Sequence, residues 1–255
     1  MNIHIGKEMF DTLMASTIGS YEFGSTLYEL STDTSDVDIM HIFVPSDNME
    51  KSYVWDNSMF QYKEDGVDHI FTTIDGFIRN LLTGDSTINF EILHSENNFE
   101  ILGFLFNNKK MFYNYSVLRA YLGFAKRDLK LAKDPKKMAH AIRGYNAAYS
   151  LYHNNTYNNI SSESDKEHIL FYKSGNKASL EHIFELKEKV EKLRDKVNID
   201  FDSGKIYRYS SVSDLARLDN WVFALKSSDK YMSKKQKFID ITSIYDALEN
   251  GVSYA

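Results

Sequence analysis

Hydrophobic and polar positions follow two different periods along this chain, and the first 110 residues mix both. Apolar residues at 9, 10, 13 and 14 lie at the spacing of one helix face, which predicts a helix over residues 6–15. A second helix is predicted over 74–82, because its apolar pattern stops at Thr83-Gly84. Runs rich in β-branched and aromatic residues predict three strands, at 16–23, 37–44 and 66–73.

Two stretches of this first part are less regular. Residues 46–62 are polar and contain scattered aromatic side chains, which predicts a loop without a regular element. Residues 89–93 are apolar and fit either a fourth strand or a turn of helix.

The helical period dominates from residue 116 onward. After a helix near 98–107, helices are predicted over 117–132, 136–153, 165–173, 178–197 and 212–226. Because the pattern changes near 110–115, we predict an α+β chain with two domains. The first, of strands and helices, covers 1–112, and the second, mainly helical, covers 113–255.

Composition narrows the class of protein. The chain has 255 residues, of which 43% are hydrophobic and 26% charged, as in folded globular proteins. It has no cysteine, which excludes disulfides, thiolate zinc sites and cysteine nucleophiles. The net charge of −6 argues against generic binding to DNA or RNA backbones. With neither a signal segment nor an apolar run of membrane-spanning length, we expect a cytoplasmic protein without a membrane partner.

The strongest chemical signal is Asp36-Val37-Asp38 at the start of a predicted strand. Side chains alternate along a strand, so the two carboxylates point to the same side. They repel each other unless a cation lies between them, and Mg²⁺, with Mn²⁺ as an alternative, prefers such oxygen ligands. The turn Gly24-Ser25 precedes the pair and offers backbone N–H groups for phosphate, while Asp68 begins the next predicted strand. Together these residues outline a nucleotide site.

This stretch resembles the nucleotidyltransferase superfamily of DNA polymerase β type, which has a Gly-Ser turn, a short loop and Asp-x-Asp on the next strand. It is most similar to a bacterial and phage group of predicted nucleotidyltransferases with the motif G-S-x-x-Y-G-x-x-T-x-x-S-D-x-D. The residues in register are Gly24, Ser25, Tyr28, Thr32, Ser35, Asp36 and Asp38. Glu29 departs from the motif, because the group usually has Gly there. The earlier Gly19-Ser20 lies five residues too far from Asp36 to be the motif turn.

The resemblance implies a small mixed sheet flanked by helices and followed by a helical domain. It also implies Mg²⁺-dependent transfer of a nucleoside monophosphate from an NTP to a hydroxyl of a protein, RNA or small molecule, with release of pyrophosphate. Asp36, Asp38 and Asp68 are then the catalytic metal ligands, and Asp68 is also the base for the acceptor hydroxyl. Gly24 and Ser25 would hold the terminal phosphates.

A second group of candidates lies in the helical part. Lys137, His140 and Arg143 share one face of a predicted helix and are candidate nucleotide-binding residues, although a solvated basic face fits the same pattern. Trp55 and Tyr62 fit either base stacking or core packing.

Other functions stay open on the sequence. A non-catalytic nucleotide-binding or antitoxin-like module with the same fold is the main alternative, and a metal-dependent hydrolase is a third. For Asp68, the alternative to a metal ligand is an acid on an edge strand that faces water.

Overall fold

The computed structural model describes residues 2–25, 28, 30, 36–51, 59–95 and 102–235. Their centre is a mixed sheet of five strands: β1 (Asn2–His4), β2 (Thr17–Phe23), β3 (Val37–Phe43), β4 (Met59–Glu64) and β5 (Val67–Thr73). The order across the sheet is β1-β4-β5-β3-β2. β1 runs parallel to β4 and β3 parallel to β5, whereas β4 pairs antiparallel with β5 and β2 with β3.

Helices cover both faces of this sheet and make up the second half of the described chain. They are α1 (Lys7–Ala15), α2 (Asp47–Lys51), α3 (Ile74–Thr83), α4 (Thr87–Leu93), α5 (Gly103–Asn107), α6 (Tyr115–Leu129), α7 (Pro135–Asn154), α8 (Glu163–Lys173), α9 (Leu180–Asp202) and α10 (Val212–Lys226). A 3₁₀ turn, Lys109–Phe112, precedes α6. The predicted α+β architecture is therefore confirmed.

The helix ends carry residues that satisfy free backbone groups. Thr73 caps α3 by accepting a hydrogen bond from the N–H of Gly76 (3.0 Å), and Gly84 ends that helix in the left-handed conformation. Helices α6 to α10 each begin after a residue whose side chain accepts a backbone N–H: Asn114, Asp134, Ser162, Ser179 and Ser211. The helices of the second half were predicted from their apolar period, and these caps stabilise their N-terminal ends. Some observed ends differ from the prediction by several residues.

Strand alternation divides the sheet into two buried faces. Met40 and Ile42 point toward the helices of the second half, while Phe43 points to the opposite face, beneath α1. The α1 side is a small hydrophobic cluster of Phe10, Leu13, Phe43, Phe60 and Phe71. The other side opens into the main core, which is continuous from β2 to Tyr231. The boundary near residue 112 stays a prediction.

Helices α6 and α7 form an antiparallel pair that packs over the main core. Gly144 permits their close approach, because a Cβ atom there would lie 2.7 Å from Cδ1 of Phe124 and 3.3 Å from the carbonyl oxygen of Tyr121. This contact brings the first half of α7 toward the sheet. Within the described part of the chain, no helix is long and apolar enough to cross a membrane.

The predicted loop over 46–62 is wrong where the structure describes it. α2 and β4 lie in this stretch, and β4 inserts between β1 and β5 with Phe60 fully buried. The hairpin from β4 to β5 turns at Asp65-Gly66, where both residues have positive φ (50° and 79°), a turn signal that the sequence did contain. Trp55, like Glu29, Thr32 and Ser35, lies outside the described residues.

Tertiary contacts settle two other open assignments. Residues 89–93 are helical, in α4, since Asn89 donates to the carbonyl of Phe77 (2.9 Å) and the apolar side chains around it are buried. Asp68 does not lie on an edge strand, because β5 is the central strand of the sheet. For the helix predicted near 98–107, the described portion is α5.

Candidate active site

The candidate site begins with four residues that lie side by side across the sheet. Phe23 on β2 is opposite Asp38 on β3, Asp38 is opposite Asp68 on β5, and Asp68 is opposite Lys63 on β4. Directly opposed residues on neighbouring strands point to the same face. We call these four residues the cross-strand row. It places two carboxylates next to each other at the polar end of the main core.

The Gly24-Ser25 turn follows the row directly at the end of β2. Gly24 has φ of 80°, and a Cβ atom there would lie 2.5 Å from Oδ2 of Asp38. Only glycine fits such an approach, so the motif turn packs against the aspartate that it accompanies in sequence. Gly19 and Ser20 lie within β2 and form no turn, as the register argument predicted.

The three predicted carboxylates differ in their partners. Gln61 donates through Nε2 to both oxygens of Asp68, at 2.8 and 2.7 Å, and Lys63 forms an ion pair with Asp36. Partial burial, together with the negative charges of Asp68 and Asp36, raises the pKa of Asp38 to about 6. The negative charge around Asp38 is therefore only partly compensated, although Lys63 and Gln61 lie nearby.

A pocket of about 590 Å³ separates the cross-strand row from helices α6, α7 and α8. Its walls contain the predicted Gly24, Ser25, Asp36, Asp38, Asp68, Lys137, His140 and Arg143. Residues predicted from two distant parts of the sequence thus share one cavity. The pocket also contains cations that the sequence analysis did not select: Arg127, Lys136 and Lys173. Asp36, Asp38 and Asp68 line its sheet side, and the cations, together with Glu91 of α4, line its helix side.

Arg143 is the most enclosed of these cations. Its guanidinium lies 2.7 Å from Oε1 of Glu91 on α4, and each side chain is only 14% exposed. It also lies 5.1 Å from the ring centre of Tyr28, a motif residue, and its Nε has no hydrogen-bond partner among the described residues. The solvated basic face considered for this helix is therefore wrong for Arg143.

The loop between α7 and α8 contributes two residues to the pocket wall. Asn159 is only 2% exposed and lines the pocket together with Tyr157. Ser150 fixes this loop by donating to the carbonyl of Asn158 (2.9 Å). Tyr62, by contrast, packs against Phe10 on the α1 side, 4.5 Å between ring centres, and does not line the pocket.

The donor set suits a hard divalent cation, because carboxylate oxygens are the ligands that Mg²⁺ and Mn²⁺ prefer. As they stand, no three histidine, aspartate or glutamate side chains of the described residues are grouped as metal ligands. Lys63 and Gln61 already contact Asp36 and Asp68. Metal binding would exchange these contacts for the cation, and the partly buried position of Asp38 beside the carboxylates of Asp68 and Asp36, which raises its pKa, favours a cation at this place.

No protein-family model matches this chain, and no curated protein matches it in sequence. The polymerase β-type assignment therefore stays a prediction that rests on the motif and on the geometry of the pocket.

Proposed function

We propose that this protein is a Mg²⁺-dependent nucleotidyltransferase of polymerase β type. The observation that carries the proposal is the single pocket in which Asp38 and Asp68 lie in register, with the Gly24 turn against Asp38 and cations on the opposite wall. The division of charge fits an NTP, whose metal-bound phosphates would lie between the acids and the cations. The cavity of about 590 Å³ is of the size that small-molecule sites have.

Each residue has a chemical role in this proposal. Asp36, Asp38 and Asp68 would hold the divalent cation, which, when bound, neutralises phosphate charge and lowers the pKa of the acceptor hydroxyl. Asp68 accepts the hydroxyl proton as the acceptor oxygen bonds to the α-phosphorus. The bond between that phosphorus and the bridging oxygen breaks, and pyrophosphate leaves with the electron pair.

The other residues orient the triphosphate. Backbone N–H groups of the Gly24-Ser25 turn approach the terminal phosphates, and Arg143, Lys137 and His140 donate to phosphate oxygens from the helix side. The acceptor is a hydroxyl of a protein, an RNA or a small molecule.

The test is nucleotide transfer by the purified protein. Incubation with α-labelled ATP, GTP, CTP and UTP and Mg²⁺ or Mn²⁺ should label the protein itself or a component of a cell lysate. The double variant Asp36→Asn, Asp38→Asn should label at least about a hundredfold less, because it loses charge at the position of the metal. The control is Asp195→Asn on α9, a side chain that is 67% exposed and should leave labelling unchanged. Equal labelling by the double variant and the control would refute the site assignment.

One observation favours a second candidate, a non-catalytic nucleotide-binding module. Lys63 and Gln61 hold two of the three carboxylates with protein donors, as a site without a metal would. Such a module should bind ATP in calorimetry equally well with and without Mg²⁺, and release no pyrophosphate. An enzyme should bind ATP more tightly with Mg²⁺, and the Asp38→Asn variant should lose that gain.

A further inference from the structure

Behind the helix wall of the pocket lies a buried carboxylate that the motif does not explain. Asp128 on α6 has a side chain that is 0% exposed. Its Oδ1 accepts a hydrogen bond from Nε of Arg127 (2.8 Å), whereas its Oδ2 has no hydrogen-bond partner among the described residues. Burial of a carboxylate oxygen without a partner is costly, so the group needs a compensating cation or donor.

The nearest candidate donor is His140. Its Nδ1 lies 3.5 Å from Oδ2 of Asp128, slightly too far for a good hydrogen bond. In ligand-free sites such contacts are often long and shorten when the ligand binds. The His140 side chain is 28% exposed and lines the pocket, and its ring stacks on Phe124 with 6.1 Å between ring centres. With Nδ1 toward Asp128, Nε2 lies on the ring edge away from that carboxylate.

We propose that Asp128 is a positioning residue that holds His140 as a proton-carrying donor, so that a phosphate-bearing ligand binds in the pocket together with one proton, taken up at His140. The proposal rests on the proposed function only for the chemical class of the ligand, a di- or triphosphate.

The charges around His140 give the reason for this linkage. Burial, followed by the positive charge of Arg143, lowers the pKa of His140 to about 4, and the carboxylate of Asp128 acts in the opposite direction. Lys136 and Lys137 lower the pKa further. The other charged groups of the pocket are Asp36, Asp38 and Asp68 on the sheet, Glu91 on α4, Arg127 on α6 and Lys173 on α8.

A bound phosphate changes this balance. Its negative charge compensates the lysines and Arg143, which opposed protonation, and leaves Asp128 to stabilise the imidazolium. His140 is then neutral in the free protein at pH 6 and protonated in the complex. By linkage, phosphate binding must strengthen as the pH falls toward 6.

Calorimetry with pyrophosphate as the probe measures this proton directly. Titrations at pH 6 in two buffers with different ionisation enthalpies give the number of protons taken up per ligand bound. The wild type should take up close to one proton more than His140→Gln, and Asp128→Asn should lose most of this difference. Titration of pyrophosphate and of Asp38 contributes to all three proteins and largely cancels in the comparison. The control is His153→Gln, an exposed residue near the end of α7, which should behave as the wild type.

A second measurement covers the case in which Asp128→Asn does not fold. In wild-type protein labelled with ¹⁵N-histidine, the ring nitrogens of His140 should change from the neutral to the protonated pattern when pyrophosphate is added at pH 6. An unchanged neutral pattern, equal proton uptake by wild type and His140→Gln, or no binding of pyrophosphate would each overturn the proposal.

The outcome is separable from that of the nucleotidyltransferase proposal. If the wild-type protein transfers no label from NTP but still takes up a proton when it binds pyrophosphate, the enzyme is rejected and the role of Asp128 is kept. Labelling by NTP, combined with pyrophosphate binding that takes up no proton at His140, would keep the enzyme and reject the role of Asp128.

Discussion

The ion pair between Glu91 and Arg143 allows a sharp test of the packing around the pocket. Its two charged atoms lie 2.7 Å apart, and each side chain is 14% exposed. The pair between Glu188 and Lys192 on α9 has nearly the same separation, 2.6 Å, but its side chains are 66% and 75% exposed. The separations match and the burial differs, although Glu188 and Lys192 also lie four residues apart on one helix.

The difference in burial determines how much each substitution should lower the free energy of unfolding. Removing one partner of a buried pair leaves an uncompensated charge and costs about 3–5 kcal/mol, whereas replacing both by apolar residues is often close to neutral. Glu91→Leu and Arg143→Met should therefore each lower the free energy of unfolding by about 3 kcal/mol, and the double variant by less than either. The coupling energy should be about 3 kcal/mol or more. For Glu188→Leu and Lys192→Met, water screens the charges, and the coupling should be about 0.5 kcal/mol.

Urea unfolding followed by circular dichroism gives the free energies for both double-mutant cycles. A coupling below about 1 kcal/mol for Glu91 and Arg143, or one equal to that on α9, would contradict the buried ion pair. The double variant also separates folding from binding. If Arg143 binds phosphate as proposed, this variant should remain folded and lose affinity for ATP.

Two further predictions concern helix packing and pH. Gly144→Ala should destabilise the protein by about 1–2 kcal/mol, because the added Cβ would overlap Phe124. Gly123→Ala has open space around it and should stabilise the protein by up to about 1 kcal/mol through helix propensity. Urea unfolding that ranks Gly144→Ala as the more stable variant would contradict the close contact between the helices. Burial lowers the pKa of His94 to about 4 from 6.5, so the unfolded chain binds more protons between these values and the free energy of unfolding should fall as the pH falls. From pH 7 to 5 this loss should be about 2 kcal/mol, and His94→Gln, compared with wild type at both pH values, should remove it.

The predictions that succeeded rest on local chemistry. The turn at Gly24, the strand that carries Asp38 and the capped helices of the second half all depend on residues close together in the chain. The positions of Lys137, His140 and Arg143 on one face also follow from helix geometry. The sequence therefore identified eight of the residues that line the pocket.

The sequence did not reveal contacts between residues that lie far apart in the chain. β4 was missed because its apolar and polar residues alternate only weakly, and it is stabilised as a strand by pairing with β1 and β5. Gln61 and Lys63, which contact Asp68 and Asp36, lie on this strand and were missed for the same reason.

The sequence by itself determined most of the helices, three of the five described strands and the chemical types of the site residues, because periodicity and turns act over a few residues. Only the tertiary structure decided which charges are paired and which are buried. Asp128 looks like any helix-surface acid in sequence, and the packing of α6 against α7 places it behind His140. Glu91 and Arg143 are 52 residues apart, and they meet only because the helical half packs over the sheet. Pairing and burial depend on distance in space, which the order of residues along the chain does not specify.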